Sequence, residues 1–134
     1  MVVKPQLLWV DLEMTGLNVL HDRIIEVAAL LTDYALTPVP NSSFHRIMHC
    51  EESILSGMDE WCTRTHGNSG LTESVKNSKY TIEGVQEEIL AHLKSFGCQE
   101  RTLLLSGNSI HADRMFLTLQ MPALTSFLYH YLIQ

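Results

Sequence analysis

The chain has 134 residues, a formal net charge of −6, 46% hydrophobic residues and 18% charged residues. This balance is typical of a single globular domain rather than of a disordered chain. The acidic charge argues against a protein that binds duplex DNA through a broad basic face. No apolar run approaches the ~20 residues that a membrane span needs, so we expect neither stable duplex DNA binding nor a membrane partner.

The first third of the chain predicts three strands. Residues 7–13 begin as an apolar run, which stops at Thr15 and Gly16. Residues 23–32 form a second run, rich in β-branched side chains, and residues 44–48 form a shorter third one. Three strands so close in sequence predict an antiparallel meander.

The middle of the chain is helical in its pattern. Apolar residues recur at three- and four-residue spacing from Ile54 to Trp61, which predicts a helix. A second amphipathic pattern follows Thr81, a candidate N-cap, and stops at Gly97.

The last third predicts one more strand and one more helix. Residues 102–105 form an apolar strand, and Ser109 would cap the helix that follows, which Pro122 would end. The expected fold class is therefore α/β, a mixed sheet whose first three strands are antiparallel and which is flanked by helices.

Asp11 and Glu13 are the first candidate site residues. Residues i and i+2 of a strand point to the same face, with Cα atoms roughly 6–7 Å apart. In a central strand that is covered on both faces, two such anions are unfavourable without a cation. The alternative is that both lie at an exposed strand end and bind nothing, and the spacing alone does not choose between the two.

A third carboxylate is predicted to face the core. Ile110, Asp113 and Leu117 lie at i, i+3 and i+7 of a helix, so Asp113 is the polar member of an apolar stripe. The alternative is an aspartate that the helix dipole favours in the first turn. If Asp11, Glu13 and Asp113 converge at the C-terminal edge of the sheet, they suit Mg²⁺ or Mn²⁺, and two such ions support phosphodiester cleavage.

A series of motifs resembles those of the oligoribonucleases. The first is WVDLEMTGL at residues 9–17, and the series runs in family order over nearly the whole chain. The further segments are RIIEVA (23–28), MDEWC (58–62), THGNSGLT (65–72), SGNSIHAD (106–113) and QMP (120–122). On this resemblance, residues 1–134 are a single, incomplete exonuclease domain with a ribonuclease-H-like fold whose C-terminal part is missing.

The resemblance also implies a function. Oligoribonucleases are homodimeric 3′-to-5′ exoribonucleases of the DEDDh class that degrade very short single-stranded RNA, dinucleotides above all. Carried over, Asp11, Glu13 and Asp113 match three of the four carboxylates that hold two Mg²⁺ or Mn²⁺ ions. The substrate-binding positions that match are a wedge between two bases, an aromatic platform and two polar pocket residues: Leu17, Trp61, His66 and Ser109. The alternatives are a turn anchor for Leu17 and a core position for Trp61.

The family pattern is incomplete in this sequence. Its general-base histidine and fourth carboxylate would lie downstream of Gln134, which itself falls where the family has an aspartate. The family's His-Tyr-Arg is replaced by Tyr129-His130-Tyr131, so the tyrosine that reaches the partner subunit and the phosphate-binding arginine are both unmatched. Without the general base we expect the rate to fall by about 10²–10⁴.

The sequence therefore leaves two alternative functions. The first is an exoribonuclease acting on short RNA, and the alternative is a catalytically impaired relative that acts as a short-RNA-binding or interaction protein. The cysteines are odd in number and form no CxxC pair, which predicts a reducing compartment. We expect the cytoplasm, with mitochondria as the alternative.

A structural zinc site is the rival metal hypothesis. His45 and His49, and likewise Cys62 and His66, are separated by three residues, a spacing found in zinc sites. On a strand, however, His45 and His49 would lie about 13 Å apart and could not share an ion.

Overall fold

The computed structural model describes residues 2–133, which form a five-stranded mixed sheet with helices around it. The strands are β1 (Leu7–Met14), β2 (Ile24–Thr32), β3 (Phe44–Ile47), β4 (Leu104–Ser106) and β5 (Leu132–Ile133). The helices are α1 (Glu52–Leu55), α2 (Glu60–Asn68), α3 (Leu71–Asn77), α4 (Ile82–Ser95), α5 (Ile110–Gln120) and α6 (Pro122–Phe127). The strand order is β3-β2-β1-β4-β5.

The first three strands are antiparallel and the remaining pairs are parallel. β1 pairs antiparallel with β2 and β2 with β3, whereas β4 pairs parallel with β1 and with β5. The mixed α/β class and the antiparallel start that the sequence predicts are both confirmed. β1 is therefore the middle strand, which explains its apolar character.

The two faces of β1 differ in their covering. Leu8, Val10 and Leu12 are buried in a core that they share with the apolar faces of α4, α5 and α6. On the opposite face, Asp11 and Glu13 are exposed. Cover on both faces is thus not found at residues 11 and 13, and their exposure agrees with the alternative of an exposed strand end.

An irregularity in the β1–β2 pairing carries one side chain to the other face of the sheet. Glu13 pairs with Glu26, but the next pair is Met14 with Ile24, so Ile25 is an extra residue in β2. Such a bulge breaks the strict alternation of side chains. Ile25 consequently packs in a second apolar cluster with residues of α1 and α3.

The helical middle is divided more finely than its spacing predicts. The pattern from Ile54 to Trp61 belongs to two helices, because α1 ends at Leu55 and α2 begins after Asp59, whose carboxylate accepts a hydrogen bond from the Cys62 N–H. The helices α3 and α6 were not predicted. The Thr81 cap is confirmed, because its Oγ1 accepts from the Gly84 N–H. Among the described residues, no helix is long and apolar enough to cross a membrane.

Candidate active site

A cavity of about 480 Å³ lies where β1 leads into the following loop and faces α2. Its lining residues are Glu13, Met14, Gly16, Leu17, Asp59, Trp61, Cys62 and His66. It therefore brings together one candidate metal ligand and three of the four candidate substrate-binding residues, which come from two segments far apart in sequence.

Leu17 and Trp61 are the exposed apolar walls of this cavity. Leu17 is 87% exposed and Trp61 is 60% exposed. Neither side chain is a core residue, so the core interpretation of Trp61 is wrong, and the exposure of Leu17 disagrees with a turn anchor that packs against the fold. Exposing two large apolar side chains at one cavity is unfavourable unless a ligand covers them, and a planar base suits both surfaces.

His66 is fixed at the back of the cavity. It is 3% exposed, and its Nε2 donates to the carbonyl of Met14 at 2.9 Å. This hydrogen bond ties α2 to the end of β1, because a carbonyl accepts only from a protonated nitrogen. His66 is also close enough to Glu13 to lower the pKa of that carboxyl.

Asp113 reaches β1 from the first turn of α5. β4 pairs with β1 only over Leu7–Trp9, so the later residues of β1 have no strand partner on that side. The Asp113 carboxylate occupies this position and accepts a hydrogen bond from the Leu12 N–H. Both interpretations of Asp113 are therefore correct, since it lies in the first turn and is also buried.

Gly107 makes this approach feasible. Its φ is +156°, and a Cβ on it would lie 2.7 Å from the carbonyl oxygen of Val10. Any other residue would push the turn away from β1. The glycine thus allows α5 to begin beside the strand that carries Asp11 and Glu13.

The carboxylates at this edge of the sheet destabilise one another. Burial and the Asp11 carboxylate raise the pKa of Asp113 to about 6 from its ordinary 3.8. Burial raises the pKa of Glu13 as well; His66 lowers it, and the Asp11 and Glu26 carboxylates raise it further. Glu26 lies directly opposite Glu13 on β2 and is paired with His45 at 2.6 Å.

The three candidate ligands are electrostatic neighbours but do not form a ready ligand cage. Among residues 2–133, no group of three His, Cys, Asp or Glu side chains is arranged to hold a metal ion. Metal binding by Asp11, Glu13 and Asp113 is therefore a proposal. The same observation leaves the zinc alternative without a ligand set in this part of the chain, where His49 Nδ1 lies 3.2 Å from the Val75 carbonyl.

Nearly the whole chain matches a known family model. Residues 8–133 match the RNase_T exonuclease family model. The chain is 40% identical to the probable oligoribonuclease of Schizosaccharomyces pombe over 98% of its own length and 52% of that protein. It is 46% identical to the oligoribonuclease of Halorhodospira halophila over 93% of its own length and 67% of that protein. The chain belongs to the oligoribonuclease family.

The length of the match differs between relatives of this family. The chain spans about half of the S. pombe protein and of the mitochondrial oligoribonuclease of Saccharomyces cerevisiae, to which it is 36% identical. Among solved structures, E. coli exonuclease I in complex with a dT13 oligonucleotide aligns with a TM-score of 0.62 and 14% identity. The alignment covers 82% of this chain and 22% of that protein, and it supports the ribonuclease-H-like fold class.

Of the four substrate-binding candidates in the oligoribonuclease pattern, Ser109 is the one that does not line the cavity. It occupies the N-cap position of α5, but its side chain makes no capping hydrogen bond, so that prediction is wrong. Its backbone is left-handed, with φ 52°, and this conformation turns Ser109 out of the N-cap geometry, which needs an extended backbone. A left-handed non-glycine residue is itself unfavourable by roughly 1–2 kcal/mol.

Sequence reasoning did not predict that Asp59 and Cys62 line the cavity of this oligoribonuclease relative. The signal for Asp59 is its position three residues before Cys62, the spacing between an N-cap side chain and the backbone N–H that donates to it. Burial and the hydrogen bond with Asp59 raise the pKa of the Cys62 thiol to about 11. The thiol is therefore protonated at neutral pH and is not a nucleophile.

Proposed function

We propose that this protein is a metal-dependent 3′-to-5′ exoribonuclease that degrades very short RNA, with dinucleotides as its preferred substrates. The observation that carries this proposal is the cavity that Leu17 and Trp61 line together with Glu13. An aromatic ring supports any base, because every base has a stacking face. Two apolar walls beside acidic groups suit a ligand with two bases and one phosphodiester.

The carboxylates of Asp11, Glu13 and Asp113 are the proposed ligands of two Mg²⁺ or Mn²⁺ ions. Their oxygens are the donors that such hard cations prefer. Burial is the main cause of the raised pKa values of Glu13 and Asp113, and the neighbouring carboxylates add to it. Divalent ions supply charge neutralisation and Lewis-acid polarisation of the phosphate, without which this acidic edge would repel RNA.

The remaining residues of the cavity would orient the substrate. Trp61 would stack on one base and Leu17 would separate the two bases. His66 is held by the Met14 carbonyl through Nε2, so the orientation of its ring in the cavity wall is fixed. Ser109 would line the same substrate from the start of α5. A group held in one rotamer loses little entropy when substrate binds.

Activity on a labelled dinucleotide tests this function. We expect the purified chain to release mononucleotides in Mg²⁺ or Mn²⁺, to stop in EDTA, and to lose turnover in Asp11→Ala. Glu87→Ala is the matched control, because Glu87 is an exposed carboxylate on α4, and it should retain the wild-type rate. Circular dichroism of each variant shows whether the sheet is intact.

The second candidate function, short-RNA binding without hydrolysis, is separated by the same experiment. This candidate uses the same cavity of Leu17, Trp61 and His66 for binding and requires no metal-dependent step. Calorimetric titration of a dinucleotide in Ca²⁺ that shows binding without turnover in Mg²⁺ supports this candidate. A folded chain that neither binds nor cleaves the dinucleotide contradicts both functions.

We also propose that the protein acts as a homodimer. Tyr129 and Tyr131 are 40% and 70% exposed, and their rings lie 5.5 Å apart beside β5. Clustered exposed aromatic side chains are characteristic of interface cores. Sedimentation velocity should give twice the mass of one chain, and Tyr131→Ser should shift the distribution toward the monomer. A wild-type chain that sediments as a monomer at high concentration contradicts the proposal.

The compartment is a proposal of the same kind. We propose the cytoplasm, with mitochondria as the alternative, because one relative carries the name mitochondrial oligoribonuclease. Imaging of the tagged full-length product beside a mitochondrial marker distinguishes the two compartments.

A further inference from the structure

The loop between β1 and β2, residues 15–23, is closed by hydrogen bonds at its base. The Thr15 N–H donates to the Arg23 carbonyl at 3.0 Å, and the Arg23 N–H donates to Thr15 Oγ1 at 3.0 Å. Leu17 lies in this loop, two residues after Thr15, and its side chain is 87% exposed. Its position therefore depends on the backbone of the loop rather than on side-chain packing.

Asp22 organises the inside of this loop. Its Oδ1 accepts from Thr15 Oγ1 at 2.9 Å, and its Oδ2 accepts from the Asn18 N–H at 2.8 Å. The carboxylate lies directly against Gly16, where an added Cβ would be 2.4 Å from Oδ2. The residues on both sides of Leu17 are thus tied to one carboxylate.

Gln120 ties the same loop to α5. Its Oε1 accepts from the Ile24 N–H at 2.9 Å, and its Nε2 donates to the Asp22 carbonyl at 2.8 Å. One amide therefore bonds to two backbone groups that lie 96 and 98 residues away. A planar amide that makes two such bonds fixes orientation as well as distance.

We propose that Gln120 is a positioning residue for substrate. It clamps the backbone at Asp22 and Ile24, and it thereby holds Leu17 at a fixed position relative to Asp113, which lies on the same helix. This inference rests on the proposed function, because it assigns Gln120 a role in placing the wedge between two bases. Gln120 itself does not line the cavity of Leu17 and Trp61, so it acts through the loop.

Loss of the two Gln120 hydrogen bonds should affect only the loop of residues 15–23. The Ile24 residue is fully buried, so its N–H has no water to replace Gln120. Most residues of the loop are exposed, and of its apolar side chains Val19 is the one that packs against the core. Sparse apolar packing is typical of segments that open independently of the core. Loss of Gln120 should therefore loosen residues 15–23 and leave β1 intact.

Amide hydrogen exchange tests the clamp without RNA. In Gln120→Met, which keeps the length of the side chain and loses both hydrogen bonds, we expect exchange at Asn18, Asp22 and Ile24 to rise about tenfold or more. Gln120→Glu keeps an acceptor for the Ile24 N–H but sets an oxygen against the Asp22 carbonyl, so exchange should rise at Asn18 and Asp22 only. Amides of β1, followed through Val10, should not change.

A binding cycle tests the role in substrate positioning. Gln120→Met should weaken binding of a dinucleotide in Ca²⁺ about fivefold or more and leave binding of a mononucleotide unchanged, because only the dinucleotide has two bases to separate. In the Leu17→Ala background, Gln120→Met should have no further effect. Thr118→Ala is the matched control on α5, since Thr118 is exposed and bonds only to its own helix, and it should bind both ligands like the wild type.

The outcomes separate this inference from the proposed function. Unchanged exchange in Gln120→Met overturns the clamp, whatever the chain does with RNA. Faster exchange together with equal losses for mononucleotide and dinucleotide, or additive losses with Leu17→Ala, overturns the positioning role. If the wild-type chain binds no dinucleotide, the proposed function fails, and with it the positioning role, while the exchange result still decides the clamp.

Discussion

Among single residues, Asp113 is a carboxylate whose burial disfavours its charged form. It is 8% exposed, its carboxylate faces β1, and burial with the Asp11 carboxylate raises its pKa to about 6. The native state therefore binds a proton more tightly than the unfolded chain, where the pKa is near 3.8. The free energy of unfolding therefore falls as pH rises from about 4 to about 6. Above the native pKa of Asp113 it is lowered by the full amount that ionising this buried carboxyl costs.

Asp113→Asn should remove this cost. In EDTA at pH 7.5, the variant should raise the free energy of unfolding by about 3 kcal/mol, since each pKa unit corresponds to about 1.4 kcal/mol. The difference should vanish below pH 4, where the wild-type carboxyl is protonated in both states. Urea denaturation at a series of pH values measures this, with Glu87→Gln as an exposed control. An equal difference at pH 4 and pH 7.5 contradicts the electrostatic explanation.

The exposure of the Trp61 side chain fits its proposed role in base stacking, and packing within the fold does not explain it. Trp61→Ala should weaken dinucleotide binding about 5- to 150-fold, which corresponds to about 1–3 kcal/mol for one stacked base. Trp61→Phe keeps a stacking face and should lose much less. Both variants should melt within a few degrees of the wild type, because the side chain is 60% exposed. Fluorescence titration and thermal melting give the two quantities, and equal binding by both variants argues against stacking.

Among the elements, the loop between β1 and β2 is the one that depends on an exact fit. Gly16 lies against the Asp22 carboxylate, whereas Gly67, on α2, has open space around it. Gly67→Ala should leave stability unchanged or raise it by up to about 0.5 kcal/mol through helix propensity. Gly16→Ala should lower it by about 1–2 kcal/mol, because Asp22 must move and lose hydrogen bonds. Chemical denaturation of the pair measures both, and a neutral Gly16→Ala contradicts the close fit.

The sequence predicts those elements whose signals are local. The strands β1, β2 and β3 and the capped helix α4 follow from apolar runs and from Thr81, and the structure confirms them. The break between α1 and α2 was missed because apolar spacing continues across it while Asp59 starts a new helix. The exposure of Leu17 and Trp61 could not be derived from spacing, because an apolar residue at helical spacing is usually buried.

For the whole molecule, the acidic edge of the sheet should link metal binding to stability. Any ligand that binds the native state alone stabilises it, by about 2.7 kcal/mol when its concentration is 100 times the dissociation constant. Mg²⁺ or Mn²⁺ should therefore raise the melting temperature at pH 7.5, and Asp113→Asn should abolish most of this rise. Differential scanning calorimetry with and without EDTA measures it. An equal rise in the variant means that the ions bind elsewhere.

The predicted convergence of the three carboxylates depends on long-range topology, which their spacing leaves open and the resemblance implies. Asp11 and Glu13 share a face as period-two alternation requires. The position of Asp113 beside β1 needs β4 to stop at Ser106 and Gly107 to approach the Val10 carbonyl, and neither follows from local pattern. The exposure of Asp11 agrees with one of the two alternatives, and the spacing could not choose it because the apolar character of β1 suggests cover on both sides.

The parallel pairing of β1 with β4 has a consequence for how the domain assembles. Leu7 meets Leu104, so this contact closes a loop of most of the chain, whereas the β1–β2–β3 meander needs only short closures. We expect the meander to form early and the β1–β4 contact late. Asp11 and Glu13 would then be in register before Asp113 arrives, so ligand binding at the three carboxylates would report the final step of folding rather than an intermediate one.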